Sequence, residues 1–110
     1  MILTLPPFLV ARRAAGARRP KAPLMPTISA FYGILIQIFW RDHGPPHFHA
    51  LYAEHEALID IRALEVIEGS LPRRALGLVL EWASEHRAEL MEDWDLCTRL
   101  QTPKKIAPLS

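Results

Sequence analysis

From residue 34 onward the side chains alternate. Ile34, Ile36, Ile38 and Trp40 fall on one side of an extended chain, with Leu35, Gln37 and Phe39 on the other. β-Branched and aromatic residues dominate, and period-two alternation of such residues is the strand signal. The second side is half apolar, which predicts a central strand. Asp42-His43-Gly44-Pro45-Pro46 breaks the run, because Gly-Pro-Pro continues neither helix nor strand. Alternation resumes over His47 to Tyr52 and again over Glu56 to Ile61. Arg62-Ala63-Leu64 turns the chain, and Glu65 to Ile67 reads as a short fourth strand.

The period then changes. Leu76, Val79, Leu80, Ala83, Leu90, Trp94 and Cys97 recur at steps of three and four, with His86 or Arg87 filling the gap. That spacing predicts one long helix reaching about Leu100, with room for a bend near Arg87-Ala88. Ser70 is the expected N-cap, and Pro72 suits a first turn because its missing N–H would lack a helical partner anyway. Thr102 to Lys105 reads as a polar exit and Ile106 to Ser110 as a tail. The fold class expected is α+β: a small antiparallel sheet of three to four strands packed on one long C-terminal helix.

The same alternation sorts faces. Phe48, Ala50 and Tyr52 share one side of their strand, and Ala57, Ile59 and Ile61 share one side of the next. These sets are expected under the helix. The opposite, solvent-facing side carries His47, His49 and Leu51, then Glu56, Leu58 and Asp60, with Gln37 and Arg41 beside them. Matching dry face to dry face pairs Tyr52 with Ala57, Ala50 with Ile59 and His49 with Asp60. Directly opposed residues sit about 5 Å apart at Cβ. Asp60 would then accept a hydrogen bond from the His49 ring and fix its tautomer.

Length and charge narrow the picture. A chain of 110 residues, half of them apolar, is one domain with a real core. Cys97 is the one cysteine, so there is neither a disulfide framework nor a Cys-based zinc spacing. No apolar run reaches the roughly 18 residues a membrane span requires. Residues 1–24 contain Arg12, Arg13, Arg18, Arg19 and Lys21 and no acid; against a total of +1, that leaves −4 on residues 25–110. The chain therefore divides into a basic N-terminal extension, 1–24, and a single mildly acidic domain, 25–110. The extension fits a targeting segment, a nucleic-acid-binding arm, or upstream sequence with the native start at Met25, and the last is the expected reading. A mildly acidic domain has little of the phosphate-neutralising charge behind non-specific nucleic-acid binding.

The chemistry concentrates at His43, His47 and His49, three imidazoles within seven residues. His47-x-His49 points two rings to one side of a strand. Two imidazoles at that spacing can bind one divalent metal, with His43 or Asp42 as third ligand. They can also act as acid and base on a phosphodiester, His47 and His49 in those roles, Asp60 orienting His49, and Arg41 or Arg73 holding phosphate. The bland alternative is structural: loop-satisfying histidines on the polar face of a one-sided sheet.

Several stretches resemble a known family, the domain of unknown function numbered 4160. They are Met25-Pro-Thr-Ile-Ser29, Phe31-Tyr32-Gly33-Ile34, Asp42-His43-Gly-Pro-Pro-His47-Phe-His49-Ala50 and Glu68-Gly-Ser-Leu-Pro-Arg-Arg74, followed by Glu81-Trp82, His86 and Lys105-Ile106. The sequence departs at Ala53-Glu54-His55, where glycine is expected. The resemblance implies a small bacterial cytoplasmic protein, one component of a toxin–antitoxin-like gene pair that acts through a protein partner encoded by the neighbouring gene. RNA and a second copy of the chain are further candidate partners. It carries over no catalytic residue. The expectation is thus a partner-acting component, with a ribonuclease-like enzyme and a metal-binding module as its two rivals.

Overall fold

Four antiparallel pairings between sequence neighbours build the sheet. The computed structural model describes residues 26–40 and 42–110. The strands are β1 (Thr27–Phe31), β2 (Ile34–Gln37), β3 (His47–Tyr52), β4 (His55–Asp60) and β5 (Val66–Ser70). They form one antiparallel meander in the order β1-β2-β3-β4-β5. Five strands replace the three or four expected. The basic extension 1–24 lies outside the described residues.

The additional strand, β1, hides its period. Its pairing with β2 is irregular between Thr27 and Ser29, so Ile28, Ser29 and Phe31 are all buried and simple alternation is lost. A bulge does this by inserting a residue and re-aiming the next one. Tyr32 and Gly33, both at positive φ, make the two-residue turn into β2.

The β3–β4 register differs from the expectation by two residues. Tyr52 pairs with His55, Ala50 with Ala57, Phe48 with Ile59, His49 with Leu58 and His47 with Asp60. Ala53-Glu54 alone turns the chain, with Ala53 at φ 53° in a position that usually calls for glycine. Zipping two residues further keeps every side chain on its expected face, because the period is two. It changes each cross-strand partner. At the β4–β5 junction Gly69 sits at φ 80°, and a Cβ there would collide with the Glu56 carbonyl.

The expected single helix is two: α1 (Arg73–Glu85) and α2 (Arg87–Thr98). The break is at His86, whose φ of −127° takes it out of helical geometry. Pro72, rather than Ser70, occupies the N-cap position of α1, with no side-chain cap; Ser70 is the last residue of β5. The helices cover the dry face. Trp82 lies at its centre, fully buried, with ring centroids 5.3 Å from Phe31 and 6.0 Å from Phe48. Ile34, Ile36, Ile38, Ile59, Ile61, Val79 and Leu90 are among the other buried core residues.

The residues read as a tail are part of the fold. Ile106 is 4 % exposed and its N–H donates to the Ile28 carbonyl of β1 at 2.8 Å. Trp82 Nε1 donates to Ala107 O at 2.8 Å, and Lys104 N–H donates to the buried Asp93 carboxylate at 2.8 Å. No described helix is long and apolar enough to cross a membrane.

Candidate functional site

His47 and His49 stand two residues apart on β3 and so share a face, as the alternation requires. Around the two rings that face is closed to solvent, although Leu35 and Glu56 on the same side are exposed. His47 is 5 % and His49 6 % exposed. The connection from β2 to β3 covers them: Phe39 stacks on the His49 ring at a centroid distance of 4.0 Å and an angle of 14°. On the other flank, Trp94 of α2 packs 5.1 Å from the His47 ring. The proline-bounded stretch that ends β2 thus folds back over β3.

This fold-back brings in Asp42. Its Oδ2 lies 2.9 Å from His47 Nε2 and 3.4 Å from His49 Nε2. One ligand-type atom from each of the three residues falls within 4.8 Å of the other two. The shorter contact is close but lacks hydrogen-bond alignment, so the buried His47 Nε2 has no hydrogen-bond partner among the described residues.

The far nitrogens are anchored. His47 Nδ1 lies 2.9 Å from the Pro45 carbonyl, and His49 Nδ1 lies 2.9 Å from Glu56 Oε2. A carbonyl or carboxylate oxygen accepts, so each Nδ1 carries the proton and donates. In a neutral imidazole that leaves the lone pair on Nε2. With both rings neutral, two lone pairs and a carboxylate oxygen converge on one small volume; a ring charged at His49 would instead donate from Nε2 to Asp42 Oδ2 at 3.4 Å. Acceptors crowded together in low dielectric repel one another unless a positive centre lies between them.

The expected residues separate in space. His47 and His49 are brought together, and Asp42 joins them as third donor; His43 is exposed and its backbone N–H donates to Asp42 Oδ1 at 2.9 Å. Asp60 does not orient His49. The two-residue register shift places it across from His47, and its Oδ1 accepts from the Arg62 and Ala63 N–H groups at 2.7 and 2.8 Å, shaping the turn after β4. Its carboxylate is therefore a turn former. Arg41 lies outside the described residues. Arg73 is exposed at the start of α1.

Glu56 is the residue that sequence reasoning missed. It pairs directly with Leu51 and reaches His49 diagonally. Diagonal neighbours are about 7–8 Å apart along the strands, within range of a long side chain. Only the two-residue turn at Ala53-Glu54 puts it there, and nothing in the composition of that turn announces its length.

A family model described as Domain of unknown function (DUF4160) matches residues 33–95, a span that holds Asp42, His47, His49 and Glu56. No curated protein and no solved structure matches the chain.

Proposed function

We propose that this chain, which belongs to the DUF4160 family, is a metal-binding module that holds a divalent transition-metal ion on Asp42, His47 and His49. The observation that carries the reading is the convergence of His47 Nε2, His49 Nε2 and Asp42 Oδ2, with the buried His47 Nε2 left without a hydrogen-bond partner among the described residues. A cation there turns three mutually repelling acceptors into three ligands. The anchoring of both Nδ1 atoms supports it, since metal-binding histidines nearly always donate their second N–H to a carbonyl or carboxylate. The donor separations of 2.9 and 3.4 Å suit the task. Bonds of about 2.0–2.1 Å place neighbouring donors about 3 Å apart.

Two imidazoles and one carboxylate select zinc, iron, cobalt, nickel or copper over magnesium and calcium, which prefer oxygen. Calorimetric titration of chelator-treated full-length protein with Zn2+ or Co2+ tests the reading. The expected result is one ion per chain and a raised melting temperature, both lost in His47→Ala. Neither binding heat nor a melting shift in the wild type would rule it out. Metal-free acid/base catalysis draws less support, because both Nε2 atoms face Asp42 and both rings are buried.

A second reading, a component of a toxin–antitoxin-like pair acting through a protein partner, rests on β5. All five of its residues are exposed, with Val66 at 38 % and Ile67 at 46 %. Co-purification with the product of the adjacent gene, lost on Ile67→Glu, tests it.

A further inference from the structure

One buried polar atom beside the histidines is unused by the metal-binding reading. Gln37 is the direct cross-strand partner of His49 and so stands on the same face. Its Nε2 donates to Thr27 Oγ1 at 3.0 Å, which turns the amide and directs Oε1 away from Thr27. Oε1 is buried and has no hydrogen-bond partner among the described residues. A buried carbonyl-type oxygen without a donor is costly and calls for an explanation. Solvent does not supply the donor, because Oε1 itself is buried although the rest of the side chain is half-buried.

Three protein ligands leave a metal ion at least one further position, filled by water or by an exogenous ligand. We infer that Gln37 is a further residue of this centre, and that its Oε1 accepts a hydrogen bond from the water or other protonated oxygen ligand completing the coordination. The inference rests on the metal-binding reading. Gln37 is a positioning residue in this account: it touches the non-protein ligand and not the ion. Its chemistry gives that position a preference. An oxygen ligand with a hydrogen to donate is favoured, and an anion that can only accept is opposed by the amide carbonyl dipole.

The test uses the full chain loaded with Co2+ and azide, an anion with no hydrogen to donate. Azide binding is read from the visible absorption of the cobalt in wild type, Gln37→Leu and the closer-sized Gln37→Met, each confirmed folded by circular dichroism. Losing one hydrogen bond to the competing water should tighten azide binding about three- to tenfold in both variants. Cobalt affinity should change little. Equal azide affinity in all three proteins overturns the inference, as does an absence of azide response in cobalt-loaded wild type. A loss of cobalt affinity on the order of a hundredfold in both variants also overturns it, by making Gln37 a direct ligand. Failure of the wild type to bind Co2+ at all removes the metal-binding reading itself, an outcome distinct from the others.

Discussion

His49 and Glu56 are joined across two strands: Nδ1 of one lies 2.9 Å from Oε2 of the other, on a diagonal set by the β3–β4 register. The bond holds a ring that is itself buried, by means of a side chain that is about half exposed. Glu56 thereby fixes which nitrogen of His49 faces Asp42. Glu56→Gln keeps the size and removes the charge. It should lower zinc affinity by about 10- to 100-fold, the usual effect of losing an outer-shell carboxylate. Calorimetry reads the affinity, and an unchanged value would show that His49 needs no such anchor.

Asp42→Asn should act with opposite signs on the two forms of the protein. Without metal, the amide N–H can donate to a histidine Nε2 in place of the repelling carboxylate, giving equal or slightly higher stability, by up to about 1 kcal/mol. With zinc, one of three ligands is weakened, and the melting-temperature gain on metal addition should largely vanish. Thermal melts with chelator and with excess zinc check both signs. A variant less stable than wild type in chelator would argue that Asp42 serves the fold alone.

The turn at Ala53 carries strain that glycine would relieve. A non-glycine residue at φ 53° costs roughly 1–2 kcal/mol in the backbone, part of which returns as chain entropy when glycine replaces it. Ala53→Gly should raise unfolding stability by about 0.5–1 kcal/mol, measured by urea denaturation with the slope unchanged. A destabilised variant would place the turn residues elsewhere.

Asp93 makes stability depend on pH. It is 1 % exposed, and burial, opposed by the Lys104 N–H and reinforced by Glu92, pushes its carboxyl up to about 6. Glu89 and the Lys104 ammonium also face it, and Cys97 lies one turn further along α2. A pKa raised in the folded state means that the native protein holds the proton more tightly. The associated stabilisation is complete below about pH 4 and is lost as pH rises through about 6. Asp93→Asn keeps an oxygen to accept the Lys104 N–H and has no charge to bury. Its melting temperature relative to wild type should therefore climb between pH 5 and pH 7.5, by an amount corresponding to roughly 1.4 kcal/mol. A difference flat across that range would dismiss the effect.

Much of this architecture is legible from the residues. Alternation over Ile34 to Ile61 marks β2, β3 and β4 and sorts side chains into the two sides the sheet shows, because a shift of two residues preserves faces; it reads the His47/His49 side as solvent-facing, whereas the β2–β3 connection covers both rings. The three- and four-residue recurrence from Leu76 to Cys97 marks the helical half, and the break at His86 falls one residue before the anticipated bend. β1 escaped because its bulge buries Ile28 and Ser29 in succession. The closing segment escaped because Ile106 is a lone apolar residue whose burial depends on β1 being there to meet it. At the site, His47 and His49 share a face on period alone. Asp42 was nameable as a third donor by proximity. Its selection over His43 depends on how Gly44-Pro45-Pro46 folds the connection back, and Glu56 depends on turn length; neither is written in the residue pattern.

The bond from Ile106 to Ile28 also closes the chain on itself. Each strand of the meander pairs with its sequence neighbour, so the hairpins need to close only short loops and can form early. The contact between residues 28 and 106 spans nearly the whole described chain, and both helices lie in the loop it closes. Closing it carries a larger chain-entropy cost than closing any hairpin of the meander. One strip of backbone, residues 104–107, thus supplies the partners of the outer edge of β1, the indole N–H of Trp82 and the carboxylate of Asp93 together, so losing it would leave all three unsatisfied at once.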